Sequence, residues 1–222
     1  MIIEVLPDAE ALAQRAARWF AGLVTARPGP LAVALSGGST PKATYRHLAA
    51  MDLPWERIHW FWGDERFVPP NDPLSNFGMA QEAMLWRAPP RLVHPVPTMG
   101  LTAIEAAQRY EQALKRFFGE FARFDVTFLG LGPDGHTASL FPGSAALEET
   151  RRWCAAVEGL GQQRITLTLP ALNASAHAVF LVSGAEKRAV LQRLLAGDES
   201  LPATRIRPQG ELRFFVDSPA AP

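Results

Sequence analysis

One stretch constrains the chain more than any other: Val126-Thr-Phe-Leu-Gly-Leu-Gly-Pro-Asp-Gly-His-Thr-Ala-Ser-Leu-Phe-Pro-Gly143. Its first half, Val126 to Leu131, is a short apolar run bounded by turn residues, the pattern of a buried strand. Its second half is a loop of glycines and prolines. Glycine lets backbone approach a ligand closely, and the loop at the end of a buried strand is where an α/β protein keeps its chemistry. Asp134 and His136 therefore fall where a reacting group would be held. Taken alone, the same residues would also suit a plain turn in which His136 satisfies a backbone carbonyl.

The rest of the chain repeats the alternation. Short apolar runs at Ile2–Val5, Leu31–Leu35, Ile58–Trp62, Leu92–Val96, Trp153–Val157, Arg164–Leu169, Ala178–Val182 and Leu212–Val216 are expected strands. Between them lie helical segments. One starts at the cap Asp8 and ends near Thr25, and others run from Pro41 to about Ala50 and over Asn76–Trp86. Two more run from a Thr102/Glu105 capping box to about Phe118 and over Glu186–Leu195, with a helical turn at Pro170–Ser175. Strands alternating with helices argue for an α/β fold, a mostly parallel sheet with helices on both faces and functional loops at the carboxyl ends of its strands. No linker or repeat interrupts residues 1–222, so a single domain is expected.

Composition excludes several functions. Apolar residues make up 48% and charged residues 20%, enough to bury a sizeable core. Lys+Arg and Asp+Glu both number 22, so no global field favours nucleic acid or an anionic membrane, and any anion must be bound by a local cluster. Cys154 is the one cysteine, which points to a reduced, cytoplasmic setting. No secretory signal or membrane span is expected. The histidines lack metal-ligand spacing, and no metal is expected. Trp55, Trp60 and Trp62, in and beside an expected strand, read first as core packing.

Four groups of residues carry candidate chemistry. Gly37, Gly38, Ser39 and Thr40 lie between an expected strand and helix, where a glycine-rich turn and a helix N-terminus make a phosphate site. Asp64 and Arg66 end the third strand. Arginine offers a planar fork of donors suited to phosphate, and Asp64 could orient a sugar hydroxyl or an imidazole. Arg164 and Lys187 stand near other strand ends, and with Arg66 they could offset a phosphate dianion. His136 could act as a general base at neutral pH, with Asp134 or Asp64 fixing its tautomer.

These motifs carry a family resemblance. Leu35-Ser-Gly-Gly-Ser-Thr-Pro41, Trp62-Gly-Asp-Glu-Arg66 with Ser75-Asn76, Gly130-Leu-Gly-Pro-Asp-Gly-His-Thr-Ala-Ser-Leu-Phe-Pro142, Arg164-Ile-Thr-Leu-Thr and Gly184-Ala-Glu-Lys187 together resemble the 6-phosphogluconolactonases. These belong to the wider glucosamine-6-phosphate isomerase/deaminase and 6-phosphogluconolactonase group. The resemblance implies a doubly wound, Rossmann-like parallel sheet and hydrolysis of 6-phospho-D-glucono-1,5-lactone without a cofactor. It implies a phosphorylated sugar lactone as the small-molecule partner, and the chain would act as a monomer or small homo-oligomer. It also implies that His136 is the general base beside Asp134, that Gly37–Thr40 form the substrate loop, and that Arg66, Arg164 and Lys187 hold the phosphate end. The deaminase branch resembles Asp-Gly-His-Ile-Ala-Phe-Asn-Glu-Pro at this place, and its glutamate would fall where Phe141 stands. An aromatic ring cannot relay protons, which disfavours a sugar-phosphate isomerase or deaminase. The third alternative is a phosphosugar-binding module without catalysis.

Overall fold

The computed structural model describes residues 1–222. Nine strands are β1 (Ile2–Leu6), β2 (Leu31–Leu35), β3 (Ile58–Trp62), β4 (Asp64–Arg66), β5 (Val126–Leu129), β6 (Cys154–Gly159), β7 (Gln162–Leu167), β8 (His177–Val182) and β9 (Glu211–Asp217). Six α-helices are α1 (Ala9–Ala26), α2 (Ser39–Ala49), α3 (Asn76–Ala83), α4 (Ala103–Phe118), α5 (Leu169–Asn173) and α6 (Arg188–Leu195). Six strands form a wholly parallel sheet in the order β1-β9-β8-β5-β2-β3. No helix is long and apolar enough to cross a membrane.

Side-chain alternation places helices on both faces of this sheet. Trp60 and Phe128 meet Phe20 of α1, and Tyr45 of α2 meets Phe128, so α1 and α2 share a face. The next residue, Phe61, points the other way, to Phe117 and Phe118 at the end of α4. Trp55, Trp60 and Trp62 are all buried, as core packing requires. The helix starts follow their local chemistry. Asp8 accepts from the Ala11 amide at 2.8 Å, and Thr102 and Glu105 form the reciprocal capping box.

The structure corrects the expected elements in three places. Leu92–Val96 is not a strand: Val93 makes a single bridge to Trp60, and Pro95 and Pro97 lack the N–H donors a ladder needs. The helix from Asn76 stops at Ala83, and Leu85–Arg87 is a separate 3₁₀ turn. The third correction is a whole second sheet. β4 leaves β3 after the single residue Gly63 and pairs antiparallel with β7, which pairs with β6. Gly63 joins the two sheets, its amide donating to Leu35 O at 2.8 Å and its carbonyl accepting from Leu167 N at 2.7 Å. A three-residue strand such as β4 is too short to show a period of two, so pattern alone does not reveal it.

Two buried tyrosines fix the strand ends from which the loops start. Tyr45 Oη accepts from the Ser36 amide at 2.9 Å and donates to the Ser36 carbonyl at 3.0 Å. Tyr110 Oη does the same at Trp62, at 2.7 and 3.0 Å. Burial pushes both phenols above the ordinary tyrosine range, so each keeps the proton it donates. Tyr45→Phe leaves a buried amide and carbonyl unpaired, a loss of about 1–3 kcal/mol. It should appear as a lower midpoint in urea unfolding, and an unchanged midpoint would show that the clamp contributes nothing.

Candidate active site

The sheet order reverses between β2 and β5. The chain steps from β2 out to β3, and later returns to β5 and moves away through β8 and β9. At such a switch point the loops on either side diverge and leave a crevice at the carboxyl ends. Here the crevice is a cleft of about 380 Å³ lined by the loops after β2, β5 and β8 and by residues of β4 and β7. It gathers Gly37, Gly38, Ser39, Thr40, Asp64, Arg66, His136, Arg164 and Lys187. Asp134 does not line it and stands behind His136.

The β2 loop ends at the first residue of α2. No side chain caps this helix, and the Gly37 and Gly38 amides donate to nothing within the protein. The result is a set of unpaired N–H groups with the positive end of a helix dipole behind them, suited to an anion.

The cations come from three directions. Pairing of β4 with β7 sets Arg66 directly opposite Arg164. Arg66 Nη1 donates to the Leu74 carbonyl and to Asn76 Oδ1, both at 2.8 Å, which aims the guanidinium and leaves Nη2 without a protein partner. Arg164 is buried, with Nε donating to Gly159 O at 3.3 Å and Nη1 standing 3.9 Å from Asp64 Oδ2. Lys187 follows the β8 loop and makes no ion pair. That loop is tied down by buried Asp217, which accepts from Ser183 Oγ at 2.5 Å and from the Gly184 amide at 3.1 Å.

His136 is held by its own loop. Nδ1 meets Asp134 Oδ1 at 2.5 Å, and the same oxygen accepts from the His136 amide at 3.1 Å. With Asp134 ionised, Nδ1 carries the proton and the lone pair is left on Nε2, which makes no hydrogen bond within the protein. The ring lies against Gly132, where a Cβ would sit 2.1 Å from Nδ1, so glycine is required there. Asp64 does not reach the imidazole. Its Oδ2 accepts from the buried Ser139 hydroxyl at 2.6 Å and faces Arg164, so Asp134 alone is positioned to fix the tautomer.

The family model described as Glucosamine-6-phosphate isomerases/6-phosphogluconolactonase matches residues 7–214. The chain belongs to this family. It is 44% identical to a 6-phosphogluconolactonase of Nostoc sp., over 98% of this chain and 96% of that protein. The solved structure of 6-phosphogluconolactonase from Trypanosoma brucei superposes with a TM-score of 0.91 at 31% identity, covering 99% of this chain and 97% of that one. A monomeric glucosamine-6-phosphate deaminase, at 21% identity and a TM-score of 0.86, covers 99% of this chain and 98% of its own and shares the fold. Both branches of the family therefore use one scaffold, and the side chains in the cleft must distinguish them.

Several residues that build the site have no role assigned from sequence. Glu65 is buried and accepts from the amides of Arg66, Asn76 and Phe77 and from Ser75 Oγ, at 2.7 to 3.1 Å. Burial raises its carboxyl from the ordinary value and these amides pull it part of the way back. It thereby seats α3 against β4, and Asn76 at the start of α3 reaches Arg66. Glu186 brings an acid into the cleft beside Lys187. The only sequence signal for Glu65 and Asn76 is their place inside the Trp62–Arg66 and Ser75-Asn76 motifs, since a buried anchor differs from a surface acid only in its surroundings.

The Asp134–His136 pair makes a titration measurable. Burial alone would raise Asp134, but the bonds from the His136 amide and ring and the imidazolium charge outweigh it and hold the carboxyl below its usual value. Whatever stability this pair contributes is therefore present above the ordinary carboxylate range and is lost as pH falls through the depressed value. Carboxyl NMR should place the Asp134 midpoint below that of a free aspartate, and His136→Ala should move it up. A midpoint that does not respond to His136→Ala contradicts the pairing.

Proposed function

We propose that this protein hydrolyses 6-phospho-D-glucono-1,5-lactone to 6-phospho-D-gluconate, the second step of the oxidative pentose phosphate pathway. One observation carries the reading: an imidazole with its Nδ1 engaged by a carboxylate and its Nε2 open shares a cleft with three cations and an uncapped helix N-terminus. A substrate with a phosphate at one end and a carbonyl electrophile at the other fits that division. The lactonase relatives support it, and Phe141 in place of a proton-relaying acid weighs against isomerisation or deamination.

In this mechanism Arg66, Arg164, Lys187 and the Gly37–Gly38 amides bind the phosphate and so fix the lactone C1 near His136. Nε2 takes a proton from water as the oxygen attacks C1, and the carbonyl electrons move onto oxygen. When the tetrahedral intermediate collapses, the bond from C1 to the ring oxygen breaks, and the imidazolium returns its proton to that oxygen as it becomes the C5 hydroxyl. The new carboxylic acid loses its proton to solvent. Asp134 keeps the imidazole in the required tautomer and stabilises its cationic form. No covalent intermediate is needed. Ser139 is buried with its hydroxyl committed to Asp64, which makes it a poor nucleophile. The whole chain acts as one catalytic domain, in a cytoplasmic setting that suits the unpaired, buried Cys154.

Stopped-flow decay of freshly made 6-phosphogluconolactone, with spontaneous hydrolysis subtracted, tests the assignment. His136→Ala should lower kcat by about 10²–10⁴-fold, the usual worth of a general base. Arg66→Ala and Lys187→Ala should each raise KM by about 10–100-fold, the loss of a charge-assisted contact. A wild-type rate in His136→Ala would remove it as the base, and an unchanged KM would remove Arg66 or Lys187 as phosphate ligands.

A further inference from the structure

Behind the cleft wall lies a side chain that touches both ends of the proposed machinery. Phe141 is 8% exposed and does not itself line the cleft. Its ring centroid stands 4.6 Å from that of His136, and the Arg164 guanidinium carbon lies 5.6 Å from it. The base and a phosphate-side cation therefore rest on one aromatic ring. The ring in turn rests on β6: a Cβ on Gly159 would lie 2.1 Å from Cε2 and 2.5 Å from Cδ2 of Phe141. Gly159 is in a strand and does not have a positive φ, so its backbone does not call for glycine. What calls for it is the space taken by the ring. The Gly159 carbonyl also accepts from Arg164 Nε, so ring, strand and guanidinium form one packed unit.

We infer that Phe141 is a positioning residue that sets His136 and Arg164 relative to each other, and that Gly159 is the slot that seats it. This rests on the lactonase reading above. The physical case has three parts. The Asp134 bond fixes one edge of the imidazole and the Gly132 backbone packs against the ring, and the buried Phe141 ring adds an aromatic wall that limits its rocking. The face of Phe141 attracts the Arg164 cation while offering it no competing hydrogen bond, so its remaining donors stay available to an anion. And because the ring is wedged against Gly159, it cannot retreat toward β6 when either neighbour moves. A distance between base and anion site that is set in this way selects substrates by the separation of their phosphate and carbonyl ends.

The test is a double-mutant cycle with Phe141→Leu and Gly159→Ala in the full chain, read in the lactone assay with thermal midpoints alongside. Phe141→Leu should lower kcat, through His136, and raise KM, through Arg164, each by about tenfold. A merely destabilised protein has fewer active molecules, which lowers apparent kcat and leaves KM where it was. Gly159→Ala should shift both constants in the same directions by displacing the ring. In the double variant the smaller side chain leaves room for the new methyl, so its constants should match those of Phe141→Leu alone. Phe141→Met, which keeps bulk without an aromatic face, takes the place of the leucine variant if that does not fold. An unchanged KM in Phe141→Leu, or effects of the two substitutions that simply multiply, would overturn the inference while wild-type turnover leaves the lactonase reading standing. Absence of turnover by the wild type would overturn both.

Discussion

The site depends first on the parallel pairing of β2 with β5. That pairing is short, with Val33 opposite Val126 and Ala34 opposite Thr127, yet it brings the two glycine-rich loops to the same edge of the sheet. It is also where the strand order reverses, so the loops part and leave room between them. Every other component is added around this crevice. β3 lies on the far side of β2 and hands the chain through Gly63 into the antiparallel sheet, which delivers Arg66 and Arg164. β8 lies on the far side of β5 and delivers Lys187.

Placement of the strands is not enough, because loops at strand ends are the least constrained part of such a fold. The chain restrains them with buried polar groups, satisfied by backbone and, at Glu65 and Asp217, by serine hydroxyls as well. Tyr45 and Tyr110 hold the ends of β2 and β3, Glu65 holds the start of α3, and Asp217 holds the loop after β8. A buried carboxylate is costly unless its acceptor positions are filled, and those of Glu65 and Asp217 are filled by amides and hydroxyls of the loops they restrain. The unpaired groups of the cleft are of a different kind. The Gly37 and Gly38 amides, Arg66 Nη2 and His136 Nε2 all belong to residues that line the cleft. Satisfied polar groups behind the wall and unsatisfied ones in front of it are what a preorganised anion site requires.

Much of this architecture is legible in the order of the amino acids. Runs such as Leu31–Leu35 and Val126–Leu129 are apolar nearly throughout because they are buried on both faces, which marks them as strands of a parallel sheet. Asp8 and the Thr102/Glu105 pair announce their helices through local hydrogen bonding alone. Cleft residues at the ends of those strands stand out because glycine, histidine and arginine there have few structural reasons to cluster. What stays hidden depends on contacts distant in sequence. β4 is too short to carry a pattern, and its identity comes from β7, roughly a hundred residues later. Glu65 and Asp217 differ from surface acids only in what surrounds them. Sequence spacing leaves Asp64 and Asp134 as equal partners for His136, because it cannot show that Asp64 is occupied by Ser139 and faces Arg164.

One physical claim is central: the cations and the helix N-terminus bind a phosphate so that a distant carbonyl meets His136. The most direct measurement compares kcat/KM for 6-phosphogluconolactone with that for unphosphorylated glucono-1,5-lactone under the same background correction. Binding energy from the phosphate should be used to position the reacting carbon, so removing it should lower kcat/KM by about a hundredfold or more. Equal values for the two lactones would contradict this claim, because the anion site would then contribute nothing to the reaction.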